Sequence, residues 1–167
     1  SLDKASLKSA LHLVSAWAGD SCLSLGQVAV DDKSNEITAI PKLLKILDIS
    51  GATVTIDAMG CQKAIAKQIV EQDGDYVLAV KENQPGLFEE VRRRMDEIAD
   101  HPAPGLLFDH HQTTDGGHGR VEVRKVWCTD HIGEATARLD DWPGLRQFVM
   151  VVRHRTTSAG TRLERAY

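Results

Sequence analysis

The run Val54-Thr55-Ile56-Asp57-Ala58-Met59-Gly60 ends a β-branched stretch in a single carboxylate, and a helix-period segment opens with Cys61-Gln62-Lys63-Ala64-Ile65-Ala66-Lys67. This pattern sets Asp57 at the carboxyl end of a buried strand, where an open α/β sheet gathers its chemistry. A carboxylate in that position is either an oxygen ligand for a hard divalent ion or a cap on the turn that follows. Catalytic metal ions need several such ligands. One acid cannot hold them alone, so the position of its partners decides what Asp57 does.

Other residues compete for a chemical role. Lys81, Asn83 and Gln84 end the next strand of the same kind and line the same cleft or simply form the turn into a helix, with Gln84-Pro85 opening it. His118, Arg120 and Arg124 share a hairpin with Lys125. Arg120, Glu122 and Arg124 alternate onto one face, which suits contact with DNA phosphates or cross-strand ion pairs with Asp109 or Asp115. His110 and His111 are adjacent, so on a strand they point opposite ways, which is poor metal geometry. Arg92-Arg93-Arg94 lies among Glu89, Glu90, Asp96 and Glu97 and reads as an exposed helix face with spaced ion pairs. Trp17, Trp127 and Trp142 read as core anchors rather than base-stacking platforms. Cys22, Cys61 and Cys128 are odd in number and form no CxxC pair, which gives neither a zinc knuckle nor a disulfide framework and fits a reducing cytoplasm.

The elements that must position these groups follow from pattern. The chain has 167 residues, 42% hydrophobic and 26% charged, enough apolar mass for one compact domain with an appendage. No apolar run is long enough for a membrane helix, and the polar start Ser1-Leu2-Asp3-Lys4 is not a secretory leader. That start lacks Met, so the chain reads as cut from something longer or as tag-derived. The net charge of −4 argues against free-standing nucleic-acid affinity, yet it is uneven: residues 1–117 carry 11 Lys+Arg against 18 Asp+Glu, and residues 118–167 carry 9 against 6. This favours the last third for any polyanion contact, while charge alone is better accounted for by ordinary solvated faces.

Leu11–Trp17 and Leu23–Val30 read as a hairpin around Ala18-Gly19-Asp20-Ser21. Ser34 and Asn35 can cap a helix carrying Ile37, Ile40, Leu43, Leu44 and Leu47, with Pro41 inside it. A strand over Ala52–Asp57, a helix over Cys61–Gln72 with Ile65, Ile69 and Val70 inward, and a strand over Tyr76–Val80 make a parallel crossover unit. A helix from Pro85 to Ala99 presents Leu87, Phe88, Val91, Met95 and Ile98. His101-Pro102-Ala103-Pro104-Gly105 is a boundary. Beyond it, Leu106–Thr114 and Arg120–Thr129 form a hairpin around Asp115-Gly116-Gly117, and Gln147–Val152 is a further strand. No GxGxxG or GxxxxGK[ST] appears, so a nucleotide fold is not indicated. The order of elements points to an α/β, ribonuclease H-like mixed sheet with flanking helices. Residues 1–100 would be a partial core and residues 101–167 a β-rich insertion.

Several stretches resemble one branch of the bacterial insertion-sequence transposases with an Asp-Asp-Glu triad, the branch that includes the H-repeat-associated proteins. They are Lys8–Ala18, Asp32–Pro41, Thr55–Lys63, Gly74–Lys81 with Asn83-Gln84, Gly117–Arg124, Trp142–Leu145, and Glu164-Arg165 with Tyr167. The resemblance implies the ribonuclease H-like fold and metal-dependent cleavage and joining of DNA, with Mg²⁺ or Mn²⁺ held by three carboxylates in the intact parent. It implies double-stranded DNA, as transposon ends and target, for a partner of the parent, in a cytoplasmic bacterial protein with no membrane; a homo-oligomer is compatible with it, and the sequence does not fix the oligomeric state.

Only the second carboxylate carries over, and it is Asp57. The family's first Asp stands in an Asp-Gly-Lys motif that is not found here, and Asp3 matches a later part of that linker. The third, a Glu in His-Trp-x-Ile-Glu-Asn, belongs beyond Tyr167; Glu164 lies in an upstream Glu-Arg-x-Tyr segment. The resemblance thus predicts an internal fragment that is inactive in isolation and binds no metal tightly. The alternative is a catalytically dead remnant acting as a DNA-binding or oligomerisation module. A third reading, another ribonuclease H-like nuclease, needs its remaining carboxylates within the 167 residues. The missing first strand would lie between the hairpin and the Asp57 strand, so the sheet must close by another pairing or borrow a strand from a neighbouring chain.

Overall fold

The computed structural model describes residues 12–30, 35–101, 107–117, 119–130, 139 and 141–167. Within them the chain is mixed α/β, and its strands form three sheets. Ser34, His118 and residues 102–106 lie outside the described residues, together with residues 1–11 and 31–33.

β1 (Leu13–Ala18) and β2 (Leu23–Ala29) form the expected antiparallel hairpin, with a bulge between Ala16 and Trp17. Its inner face, Val14 and Gly26 included, packs on α1 (Glu36–Leu44), where Leu43 Cδ1 would stand 3.4 Å from a Cβ added at Gly26. Trp17 departs from expectation: it is 63% exposed on the outer face, beside Leu13 and Leu25. The bulge shifts the register at Trp17, and no element covers that side of the hairpin among the described residues.

α1 begins after Asn35 and keeps Pro41 inside it. Its C-terminal carbonyls find donors on the next helix. Gln68 Nε2 donates to Pro41 O at 3.0 Å and Gln72 Nε2 donates to Leu44 O at 3.2 Å, adding a second donor to carbonyls that already accept from Lys45 N–H and Leu47 N–H and tying the end of α1 to the next helix.

β3 (Thr53–Ile56) and β4 (Asp75–Leu78) pair in parallel through α2 (Lys63–Glu71), as a crossover requires. Ile40, Leu44, Ile49, Ile65 and Ile69 form one core cluster, and Val14, Val54, Ile56 and Tyr76 pack against it. β1 and β3 thus touch the same helices without pairing with each other, so the sheet does not close directly between them. Val70, expected inward, is 37% exposed at the edge of α2, beside the turn at Gly144.

α3 (Pro85–Asp100) buries Leu87, Val91, Met95 and Ile98 against the second core, which includes Trp142, Phe148, Met150 and Val152. That core belongs to an antiparallel meander of β5 (Asp109–Gly117), β6 (Arg120–Thr129), β7 (Phe148–Thr157) and β8 (Gly160–Ala166). Asp115, Gly116 and Gly117 extend β5 instead of turning, and the reversal falls between Gly117 and Arg120, with Gly119 at φ +74°. β8 is a strand that the sequence reading omits.

Contacts at the end of β8 add to the α3 packing in tying the meander to the rest. Tyr167 O accepts from Val80 N–H at 2.7 Å, which joins the end of β8 to the end of β4. Arg165 Nη1 donates to Asp96 Oδ1 at 2.6 Å, Arg165 Nη2 donates to Asp100 Oδ1 at 2.8 Å, and the Tyr167 hydroxyl donates to Asp96 Oδ1 at 2.7 Å. Phe88 meets the Tyr167 ring edge-on at 5.7 Å. No helix among the described residues is long and apolar enough to cross a membrane.

Candidate functional site

β3 reads Thr-Val-Thr-Ile, and its alternation decides where Asp57 stands. Val54 and Ile56 turn toward the helices, while Thr53 and Thr55 face the other side. Asp57 follows with extended backbone (φ −70°, ψ 179°) and caps a 3₁₀ turn over Ala58–Gly60. Its Oδ1 accepts from Met59 N–H at 3.1 Å, so one carboxylate oxygen is engaged locally while the side chain stays exposed. Gly60 is required by space: a Cβ there would sit 2.3 Å from Ile56 Cγ2 and 2.9 Å from Ile40 Cδ1.

The loop after β4 holds the loop after β3. Asn83 Nδ2 donates to Ala58 O at 2.6 Å. Gln84 Nε2 donates to Cys61 O at 2.9 Å and to Gln62 Oε1 at 3.2 Å. The structure therefore brings Asp57, Asn83 and Gln84 together at the carboxyl ends of two parallel strands. Both amides are spent on the Asp57 turn. Lys81 stands exposed at the end of β4, with no ion pair among the described residues.

Beside Asp57 opens a cleft of about 510 Å³, lined by Thr55, Val77, Ala79, Trp142, Val149, Val151 and Tyr167 among others. Its walls are chiefly apolar. This cleft is not legible in the sequence because it is built from segments some ninety residues apart, which the Val80–Tyr167, Tyr76–Pro143 and Lys63–Asp141 hydrogen bonds bring to one place. Cys61, also on the wall, is fully buried, and burial pushes its thiol up to about 11. It is a packing group rather than a nucleophile, since only the thiolate attacks. Tyr76 is likewise pushed up to about 12 by burial, and its hydroxyl donates to Pro143 O at 2.8 Å.

Arg120 and Arg124 lie away from Asp57, on one face of β6 with Glu122 between them. Arg124 pairs with Asp115 at 3.1 Å and also with Glu122, while Arg153 of β7 reaches Glu122 at 3.5 Å and Glu164 at 3.4 Å. The cross-strand pairing with Asp115 is thus present for Arg124; Arg120 has no ion pair among the described residues. On α3, Arg93 and Arg94 both bond Glu90, at 3.0 and 2.5 Å, and hold its carboxyl below the usual range. His110 leans on Trp127 at 4.8 Å. Among the described residues no three His, Cys, Asp or Glu side chains converge into a metal-binding group.

The transposase DDE domain family matches residues 3–153. The chain is 46% identical over 156 residues to the "Uncharacterized protein in dhlA 3'region" of Xanthobacter autotrophicus, covering 93% of this chain and 51% of that protein. It is 40% identical over 167 residues to the "H repeat-associated putative transposase YhhI" of Escherichia coli (strain K12), covering 98% of this chain and 43% of the relative. It is 39% identical over 155 residues to the "Putative transposase YncI" of Escherichia coli O157:H7, covering 93% and 39%. The chain spans about half the length of the curated relatives it matches, or less. No solved structure matches it. A family match over most of the chain, with transposase-named relatives aligned almost end to end, makes this chain a member of the DDE-domain transposases.

Proposed function

We propose that this chain forms part of the catalytic domain of a DNA transposase and that Asp57 is one of its metal-binding carboxylates. In the whole protein the reaction would be hydrolysis of a phosphodiester at a transposon end, followed by attack of the freed 3′ hydroxyl on target DNA. The single observation carrying this reading is the placement of Asp57: exposed, at the carboxyl end of β3, on the rim of the cleft, in a turn clamped by Asn83 and Gln84.

The described residues do not by themselves fit a divalent-ion centre. Mg²⁺ demands near-octahedral oxygen coordination, and Asp57 offers one carboxylate with Oδ1 already accepting a backbone N–H. The remaining acids would come from parts of the protein outside this span, together with a strand between β1 and β3 in a ribonuclease H-like sheet. The contribution of this chain's own residues is then positional. Asn83 and Gln84 fix the turn, Gly60 lets it pack against Ile56, and Lys81 offers a cation to a phosphate near the cleft.

Two measurements test the reading. Calorimetric titration of this chain with Mg²⁺ or Mn²⁺ should show no saturable tight binding, and tight binding lost on Asp57→Ala would overturn the incomplete ligand set. In a full-length relative, Ala at the position matching Asp57 should abolish strand cleavage of a transposon-end duplex, by roughly three orders of magnitude or more. Unchanged cleavage would remove Asp57 from the site.

A second reading rests on a specific observation. Leu13, Trp17, Leu25 and Val77 are all about half exposed or more, on strands whose other faces pack on helices. A surface of that kind suits a module that assembles with a partner and performs no catalysis.

A further inference from the structure

Registers fix which residues share a face of the meander. Arg120, Glu122 and Arg124 of β6 stand opposite Thr157, Arg155 and Arg153 of β7, and Arg153 and Arg155 stand opposite Glu164 and Arg162 of β8. One end of one face therefore carries Arg120, Arg124, Arg153, Arg155 and Arg162, all exposed, against Asp115, Glu122 and Glu164.

The three acids are already used. Glu122 lies between Arg124 and Arg153, Asp115 takes Arg124, and Glu164 takes Arg153. Arg120, Arg155 and Arg162 have no ion pair among the described residues. Arg155 and Arg162 are direct cross-strand neighbours, a like-charge pairing that costs a sheet stability. An acidic protein that gathers uncompensated arginines in one place has a surface waiting for an anion.

The arrangement also says which anion. Residues two apart on a strand stand ~6.8 Å apart and adjacent strands ~4.8 Å apart, so the guanidinium groups form a grid suited to a repeating array of negative charges, and Arg forks match phosphate oxygens. The arginine end of this face carries no Phe, Tyr or Trp among the described residues, since Trp127 lies on the opposite, core side. Stacking platforms that single strands need are therefore lacking. The same face continues along β7 into Val151 and Val149, which line the Asp57 cleft. The arginines and Asp57 thus open toward one side of the molecule.

We propose that the arginine end of this sheet face, with Arg155 and Arg162 at its centre, binds the phosphate backbone of duplex DNA independently of sequence. This rests on the transposase reading above and extends it to Arg153, Arg155 and Arg162. Glu122 positions Arg124 and Arg153 within the grid.

The test measures binding of this chain to a mixed-sequence 30-base-pair duplex by fluorescence anisotropy between 50 and 200 mM salt. The variants are Arg155→Gln/Arg162→Gln, the charge-retaining Arg155→Lys/Arg162→Lys, and Arg92→Gln/Arg93→Gln on α3. Each neutralised phosphate contributes a slope of ~0.9 in log K against log salt, so the Gln pair should lose about 1.8 of slope and roughly tenfold or more in affinity at 100 mM. The Lys pair should keep the slope, and the α3 pair should bind like the parent. Thermal melts should not fall for any variant: the Lys pair keeps the like-charge pairing and should melt like the parent, and the Gln pair relieves it and should melt at the same temperature or slightly higher. Equal losses from the α3 pair would reduce the effect to net charge and overturn the proposal. Equal binding by all variants would remove this face while leaving DNA binding elsewhere on the chain. Preference for oligo(dT), or no duplex binding at 50 mM, would overturn the proposal and leave the Asp57 reading to its own cleavage test.

Discussion

The side-chain amide of Asn83 donates to the carbonyl of Ala58 at 2.6 Å, across a sequence gap of 25 residues. Ala58 directly follows Asp57, so the loop after one parallel strand sets the geometry of the acid at the end of the other. Asn83→Ala should therefore lower stability by about 0.5–1.5 kcal/mol in urea denaturation, the usual net worth of one such bond. In a full-length relative the matching substitution should lower the cleavage rate while leaving affinity for the transposon-end duplex unchanged. Equal falls in both would make Asn83 a DNA contact instead.

Gly60→Ala places a methyl group 2.3 Å from Ile56 Cγ2. Ile56 is held by the first core and cannot swing away freely. The expected cost is about 1–3 kcal/mol of overpacking, read as a lower Tm. Gly116→Ala has open space around it and should show much less.

Arg165→Gln removes the ion pairs between β8 and α3. Arg165 holds the Asp100 carboxyl below its usual range, chiefly through their hydrogen bond. A carboxylate depressed in the folded state contributes stability above its unfolded pKa, and that contribution is lost as pH falls through the folded value. The Tm difference between parent and variant should thus be largest near pH 7 and shrink as pH drops below about 4. A difference constant down to pH 2.5 would mean that Arg165 acts by packing alone.

The cysteines should separate by reactivity. Cys22 is exposed and should react with a disulfide reagent within minutes at pH 8, whereas Cys61 is fully buried and should react only on unfolding. Burial raises the Cys61 thiol from 9.0 to about 11. Stability tied to its neutral form is complete below pH 9 and is lost as pH rises through 11. Two pKa units correspond to about 2–3 kcal/mol. Cys61→Ala should flatten the alkaline limb of the stability profile.

Trp17 and Trp142 offer an optical check. Iodide should quench Trp17, which is 63% exposed, and spare Trp142, which is 6% exposed. Trp17→Gln should change stability by less than about 0.5 kcal/mol.

The sequence made local pattern legible. Alternation gave β2, β5 and β6, apolar and β-branched runs gave β1, β3, β4 and β7, helical spacing gave α1 to α3, and the step from β-branched run to glycine turn placed Asp57 at a strand end. The reading failed where tertiary partners decide. β8 reads Gly-Thr-Arg-Leu-Glu-Arg-Ala, a polar edge strand with one large apolar residue, so nothing in its hydrophobicity announces a strand. Gly116 and Gly117 resemble a turn, yet the ladder runs through them because Val121 and Arg120 supply partners. Trp17 reads as core by composition, but a bulge and an uncovered sheet face leave it outside. Arg155 and Arg162 are 7 positions apart in the chain, and only the β7–β8 register makes them neighbours.

The bond from Val80 N–H to Tyr167 O has a mechanical corollary. Whatever bends the outer strand of the meander must tug on the residue just ahead of Lys81 and Asn83. Fraying or trimming the last few residues would therefore slacken the clamp over the acid from a distance, with no atom of that clamp replaced.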